Sequence, residues 1–194
     1  MRLFAALDLP EKALEEAAAW HAAACVHLPA GQWRDLPSRN WHLTLAFYGE
    51  VGGEAVDALA EALSECAACT PPLQLCFNGF GVFPGPQRPN VFWLGVDEAG
   101  AKDHMKALAR CCRRAGHATV RKRSAKETPF RGHVTVARRR GYPAPLSADV
   151  LARVPDVPDV RWRAETLRLY RSELQRDGAR YFMLEEFALS AGVD

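Results

Sequence analysis

Along the chain, apolar residues keep a two-residue rhythm in some segments and a three-to-four-residue rhythm in others. Arg2–Leu9 is almost wholly apolar and suits a buried strand. Pro10 has the fixed φ of a first helical turn, and Leu14, Ala17, Ala18, His21 and Cys25 then recur at helical spacing. Residues 28–40 hold two prolines and several polar turn formers and read as loop. Asn40–Tyr48 alternates as a strand, and Gly49–Gly53 turns the chain. Val56, Leu59, Leu63 and Cys66 mark one face of a second helix, which Pro71 and Pro72 stop. Leu73–Phe83 and Asn90–Val96 read as a hairpin around the Pro/Gly loop Pro84–Pro89. Ala101, Met105, Leu108 and Cys112 mark a third helix, and Arg121–Lys126 reads as loop. Phe130–Ala137 is a predicted strand and Ser147–Val154 a short helix. Arg161–Leu169 and Tyr181–Leu189 are the last two strands, around the turn residues Arg176-Asp177-Gly178. Helices mixed with hairpins predict an α+β fold with antiparallel pairing, in two lobes.

Composition narrows the class without naming a function. A chain of 194 residues, 48% hydrophobic, buries a real core, and most of it is excluded from disorder. The net charge of +2 hides an asymmetry: from Arg110 to Arg140 eleven basic residues stand against Glu127 alone, so the remainder is net acidic. Such a segment points to an anionic partner, phosphate first, although a solvated basic surface has the same composition. No stretch approaches the ~20 apolar residues that span a bilayer. The apolar start ends at Asp8, too early for a secretion signal. A cytoplasmic protein is therefore expected, with its six cysteines reduced. Cys66 and Cys69 lack a second pair at metal-ligand spacing, and Cys111 and Cys112 project in different directions from a helix, so no metal site is expected.

Two predicted strands carry the same pattern. Trp41-His42-Leu43-Thr44-Leu45-Ala46-Phe47 and Gly132-His133-Val134-Thr135-Val136-Ala137-Arg138 each read His-apolar-Thr-apolar-Ala, about half a chain apart. In a strand, alternate side chains share a face. His42 and Thr44 are thus expected on one side, with Leu43, Leu45 and Phe47 opposite, and His133 and Thr135 stand likewise against Val134 and Val136. The small Ala46 and Ala137 leave room for a ligand or for close strand packing. A single copy would read as a solvated face. Two copies suggest a pseudo-duplication in which each lobe donates one copy to a shared cleft. Two imidazoles suit acid–base catalysis near neutrality, one taking a proton from water and one giving a proton to a leaving alkoxide. Two threonine hydroxyls can donate to phosphate oxygens. That set describes in-line hydrolysis of a phosphodiester and requires no metal.

The match to a known family extends beyond these motifs. RLFAALDLPE, NWHLTLAFYGEV, GFGVFPGPQRPNVFWLGV, LRLYRSEL and ARYFMLEEF together resemble the 2H phosphoesterases, in their LigT-like branch of RNA 2′,3′-cyclic phosphodiesterases, historically called 2′-5′ RNA ligases. The resemblance covers nearly the whole chain and implies one bilobal domain over residues 1–194. Two similar antiparallel-sheet-plus-helices lobes would flank a central cleft. It implies hydrolysis of 2′,3′-cyclic phosphate ends of RNA to 2′-phosphomonoesters, with no metal or other cofactor. His42 would be the proton donor, His133 the proton acceptor, Thr44 and Thr135 the phosphate-binding hydroxyls, and Arg138 an RNA contact. The expected partner is RNA with a cyclic phosphate end or a small cyclic nucleotide, with no membrane, and nothing demands more than a monomer. The same acid–base pair could run 2′-5′ ligation or 2′-5′ diester cleavage, and an RNA-binding module with little catalysis is the remaining alternative. One position departs: the family has Pro before its second His, where this chain has Gly132, and a looser start to that strand is expected.

Other residues carry less. His21, His27, His104 and His117 have no Thr partner and read as packing or surface groups. Trp33, Trp41 and Phe83 are candidates for stacking on a base. Arg34 and Arg39 precede the first motif and can approach the cleft. Arg138 is expected near the scissile phosphate and the Arg121–Lys126 loop along the RNA backbone. The Gly79–Gly85 segment lacks the spacing of an ATP-binding loop.

Overall fold

The elements follow the apolar rhythm closely. The computed structural model describes residues 1–100, 103–120, 129–142, 144–175 and 178–190. In order they are β1 (Arg2–Asp8), α1 (Glu11–Cys25), β2 (Trp33–Asp35), β3 (His42–Glu50), α2 (Val56–Ala68), β4 (Leu73–Phe83), β5 (Val91–Glu98), α3 (His104–Val120), β6 (His133–Arg139), α4 (Ala148–Ala152), β7 (Arg161–Ala164), β8 (Thr166–Gln175) and β9 (Gly178–Ala188). The predicted loop 121–126 and the turn residues Arg176 and Asp177 lie outside the described residues. Their neighbour Gly178 has φ +139°, a conformation open to glycine and strained for any side chain.

The described strands form one antiparallel sheet in the order β7-β4-β5-β6-β3-β1-β8-β9, with β2 added on β6. The order reads as two mirrored halves of four strands, joined where β6 meets β3. α1 follows β1 but backs the β4–β5 half, and α3 follows β5 but packs on β3, whereas α2 follows β3 and stays on its own half against β8 and β9. Trp20 on α1 stacks on Phe92 of β5 at 5.6 Å and tilts against Phe80 of β4. On the other half α2 packs on α3, and the Tyr48 hydroxyl of β3 donates to the Cys112 carbonyl of α3 at 3.2 Å. The core runs through both halves, from Leu3, Leu7 and Leu45 to Leu75, Phe92 and Leu94, all essentially inaccessible. Burying such side chains supplies about 1.5–3 kcal/mol each and sets which strand face looks outward.

Three expectations change. The presumed loop 28–40 contains β2, a three-residue strand pairing Trp33, Arg34 and Asp35 with Arg139, Arg138 and Ala137. The single strand expected over 161–169 is two: β7 pairs with β4 at one edge, and β8 pairs with β1 in the other half. The break at Glu165 coincides with a slip in alternation, since Trp162 and Ala164 are buried in one phase and Leu167 and Leu169 in the other. Finally, the cysteines are not all reduced. Cys66 of α2 and Cys111 of α3 are disulfide-bonded, with Cα atoms 5.8 Å apart, because the two helices pack directly on each other.

Candidate active site

β3 and β6 are joined through Leu43, which pairs with Val134. Counting outward from that pair in an antiparallel ladder sets His42 opposite Thr135 and Thr44 opposite His133. Each half's histidine thus faces the other half's threonine. The two histidines are diagonal neighbours, a relation that separates Cα positions by about 7–8 Å on one face of the sheet.

The two strands share a second, hidden feature. Against β1, Leu45 of β3 is skipped: Ala6 pairs with Thr44 and Ala5 with Ala46. Against β5, Val136 of β6 is skipped: Trp93 pairs with Thr135 and Phe92 with Ala137. An extra residue in a strand flips the phase of everything after it. Leu45 and Ala46 are therefore both buried, as are Val136 and Ala137. The next residues, Phe47 and Arg138, return to the face of the His and Thr and line the cleft. This corrects the expectation for Phe47, which is 58% exposed rather than turned to the core. The alanines serve close packing and not ligand space.

Each imidazole is held in the same way. His42 Nδ1 lies 2.8 Å from the Asn40 carbonyl, and His133 Nδ1 lies 2.8 Å from the Arg131 carbonyl. A carbonyl only accepts, so Nδ1 carries the hydrogen and Nε2 is the working nitrogen. The Asn40 side chain also donates to the Ala179 carbonyl of β9 at 2.8 Å, which fixes the start of β3. Gly132 fixes the start of β6. Its carbonyl accepts from Val96 N–H at 3.0 Å, and a Cβ at this position would come within 2.3 Å of the Val96 oxygen. The start of that strand is thus tight, contrary to the looseness expected of glycine, because two backbones meet where no side chain fits.

Aromatic rings wall both histidines. Phe4 stacks on His42 at 4.7 Å and Tyr181 meets it edge-on at 5.2 Å, while Phe83 meets His133 edge-on at 4.9 Å. Burial among these rings pushes His42 down to about 4 and also lowers His133. The nearby charges differ between the two. Asp8, paired with His42 across β1 and β3, favours the imidazolium of His42. Arg131 disfavours the imidazolium of His133 alone, while Arg138 disfavours the imidazolium of both. Asp8 itself accepts from Arg168 and from the Tyr170 hydroxyl, which holds the carboxylate in place.

A cavity of about 610 Å³ opens between the halves, lined among others by His42, Thr44, Thr135, Arg138, Arg34 and Tyr181. His133 is not part of that lining and stands beside it, two residues before Thr135 on β6. A second hollow of about 320 Å³ continues past Arg138 along Arg34, Arg39, Arg140 and Arg180. The basic segment therefore divides. Arg138 and Arg140 face the hollows, whereas Arg131 lies over Trp93 at 4.4 Å and Arg139 over Trp33 at 5.4 Å. Of the three stacking candidates, Trp41 is buried with its indole N–H on the Leu36 carbonyl, and Trp33 packs edge-on to Phe92 under Arg139. Phe83 alone borders a motif. Phe4, Phe47, Tyr181 and Asp8 were not signalled as site residues; only the repeated bulge and distant strand pairing bring them in.

A family model described as 2′-5′ RNA ligase superfamily matches residues 10–176. A Thermus thermophilus protein named RNA 2′,3′-cyclic phosphodiesterase is 32% identical, over 97% of this chain and 90% of its own length. A Geobacillus stearothermophilus protein of the same name is 28% identical over 98% of this chain, which spans 58% of that longer relative. Among solved structures, Thermus thermophilus TT0787 superposes with a TM-score of 0.80 at 30% identity, covering 100% of both chains. Escherichia coli LigT complexed with 3′-AMP gives 0.73 at 26% identity, covering 97% of each.

Proposed function

Because the chain belongs to the 2′-5′ RNA ligase superfamily, we propose that it hydrolyses 2′,3′-cyclic phosphate ends of RNA to 2′-phosphomonoesters with His42 and His133 as acid and base. The observation that carries this reading is the pair of His-Thr motifs, diagonal across one seam, each with Nδ1 on a backbone carbonyl. His133 Nε2 takes a proton from water as the water oxygen attacks phosphorus. The bond to the 3′ oxygen breaks on the opposite side, and protonated His42 gives its proton to that oxygen. Thr44 and Thr135 donate to the non-bridging oxygens where charge builds up. Asp8 supports the acid role of His42, and Arg131 supports the base role of His133. The anionic phosphate, once bound, raises His42 into its protonated form by charge attraction.

The arginine-lined hollow beyond Arg138 favours a chain over a lone cyclic nucleotide, since it offers cations to the next phosphates. Among the described residues no helix is long and apolar enough to cross a membrane, and an RNA substrate is what supports reading the enzyme as cytoplasmic, with the Cys66–Cys111 disulfide standing against the reduced cysteines expected there. The reading is tested by incubating the protein with a 2′,3′-cyclic-phosphate oligonucleotide in EDTA and identifying the new end. A 2′-phosphate is expected. A 3′-phosphate, a 2′-5′ linkage or an unchanged end would overturn it.

A further inference from the structure

A second cluster of chemistry-bearing side chains stands apart from the histidine pair. His21 and Cys25 are one turn apart on α1, and Asp35 closes β2. Cys25 Sγ lies 3.1 Å from His21 Nε2 and 3.7 Å from Asp35 Oδ1, and His21 Nε2 lies 3.4 Å from Asp35 Oδ1. We propose that these three side chains form a binding site for one thiophilic divalent cation of the Zn²⁺ type.

Three electron-rich atoms lie in mutual contact, with the Cys25 thiol donating to Asp35 Oδ1 and His21 Nε2 meeting both the sulfur and the same carboxylate oxygen. A proton relay would engage opposite nitrogens of the ring, one for the thiol and one for the carboxylate. Here both neighbours converge on Nε2, as ligands converge on a common centre. The dimensions fit. Tetrahedral Zn²⁺ with bonds of ~2.3 Å to sulfur and ~2.0–2.1 Å to nitrogen and oxygen sets its ligand atoms roughly 3.3–3.6 Å apart; the nitrogen–oxygen distance of 3.4 Å falls in that range, and the two sulfur distances, 3.1 and 3.7 Å, need shifts of only about 0.2 Å to reach it. One thiolate, one imidazole and one carboxylate also form a donor set suited to this ion over Mg²⁺ or Ca²⁺. Burial favours the neutral His21 imidazole that ligates, and burial with Asp35 pushes the Cys25 thiol up to about 12, so the cation binds by displacing the thiol's proton. Trp41 holds the arrangement from the side, edge-on to His21 at 5.4 Å and donating to the carbonyl of Leu36, next to Asp35. Asp35 is two-thirds exposed, which leaves the fourth position to water.

A cation here ties α1 to β2. Arg34, one residue before Asp35, borders both hollows, so the site braces the strand that presents this arginine.

The test uses the metal-free full-length protein without reductant, so that Cys66 and Cys111 stay bonded. Titration with Co²⁺ is expected to saturate at one equivalent, with a thiolate-to-Co²⁺ charge-transfer band and the ligand-field bands of a four-coordinate ion. Zn²⁺ is expected to displace it and to raise Tm. Cys25→Ser should abolish the charge-transfer band, His21→Gln and Asp35→Asn should weaken binding, and Cys69→Ser, at an exposed free thiol, should change nothing. Absence of saturable binding, or a band that persists in Cys25→Ser, overturns the proposal. If Cys25→Ser fails to fold, a band of undiminished affinity in Asp35→Asn overturns it equally. None of these readouts depends on phosphodiester hydrolysis.

Discussion

Burial among Phe4, Tyr170 and Tyr181 pulls the His42 imidazole away from its proton, while Asp8 pulls the other way. With a pKa of about 4, the free protein holds His42 protonated in roughly one molecule in a thousand at neutral pH. Since kcat/KM reports the free enzyme, in which both imidazoles titrate below the usual 6.5, it is expected to be falling already with rising pH at 6.5. The profile of kcat should lie at higher pH, because bound phosphate stabilises the imidazolium. Asp8→Asn removes the charge that favours the protonated form, so kcat/KM at neutral pH should drop while bound-state geometry is kept. An unchanged pH profile would remove Asp8 from this role. The same shift acts on stability. The unfolded imidazole titrates near 6.5 and the folded one near 4, so between those values the unfolded state binds more protons. Stability is therefore complete above about 6.5 and declines as pH falls toward 4, by up to about 3 kcal/mol. His42→Gln should flatten that decline in urea titrations across this range.

At the level of strands, the duplicated bulge decides what the cleft contains. Without the extra residue, Arg138 would point into the core and Phe47 with it. The motifs themselves were legible, because His-x-Thr alternates with Leu43, Leu45, Val134 and Val136 in plain two-residue phase. The bulge was not, since Leu45-Ala46 and Val136-Ala137 read equally well in either phase. β2 escaped for a related reason: three residues are too few for a rhythm, and their partner strand lies a hundred positions downstream. The Cys66–Cys111 bond joins two helices whose packing no spacing rule encodes. Two substitutions probe this level. Gly132→Ala forces a Cβ against the Val96 oxygen and should destabilise by about 1–3 kcal/mol, read as a lower urea midpoint. Arg39→Glu with Arg140→Glu, in the outer hollow, should raise KM for an oligonucleotide far more than for a 2′,3′-cyclic mononucleotide. An equal effect on both would make these arginines solvated surface.

Across the whole molecule, α1 and α3 each cross from a strand of one half to cover the other, α2 covers its own half, and the halves meet where β3 joins β6. The disulfide closes the chain from α2 to α3 on one side of that seam, and a loop of this length accounts for about 2–4 kcal/mol. Reduction should lower Tm while leaving both histidines in place, since neither helix supplies a residue to the cavity lining. The central claim is that the two halves each contribute one imidazole to a single reaction at the seam. The most direct measurement is single-turnover hydrolysis of a 2′,3′-cyclic-phosphate oligonucleotide in EDTA by the unsubstituted protein, His42→Ala and His133→Ala. Each single substitution is expected to slow the chemical step by about 10²–10⁴-fold. Full turnover by either variant would contradict the account.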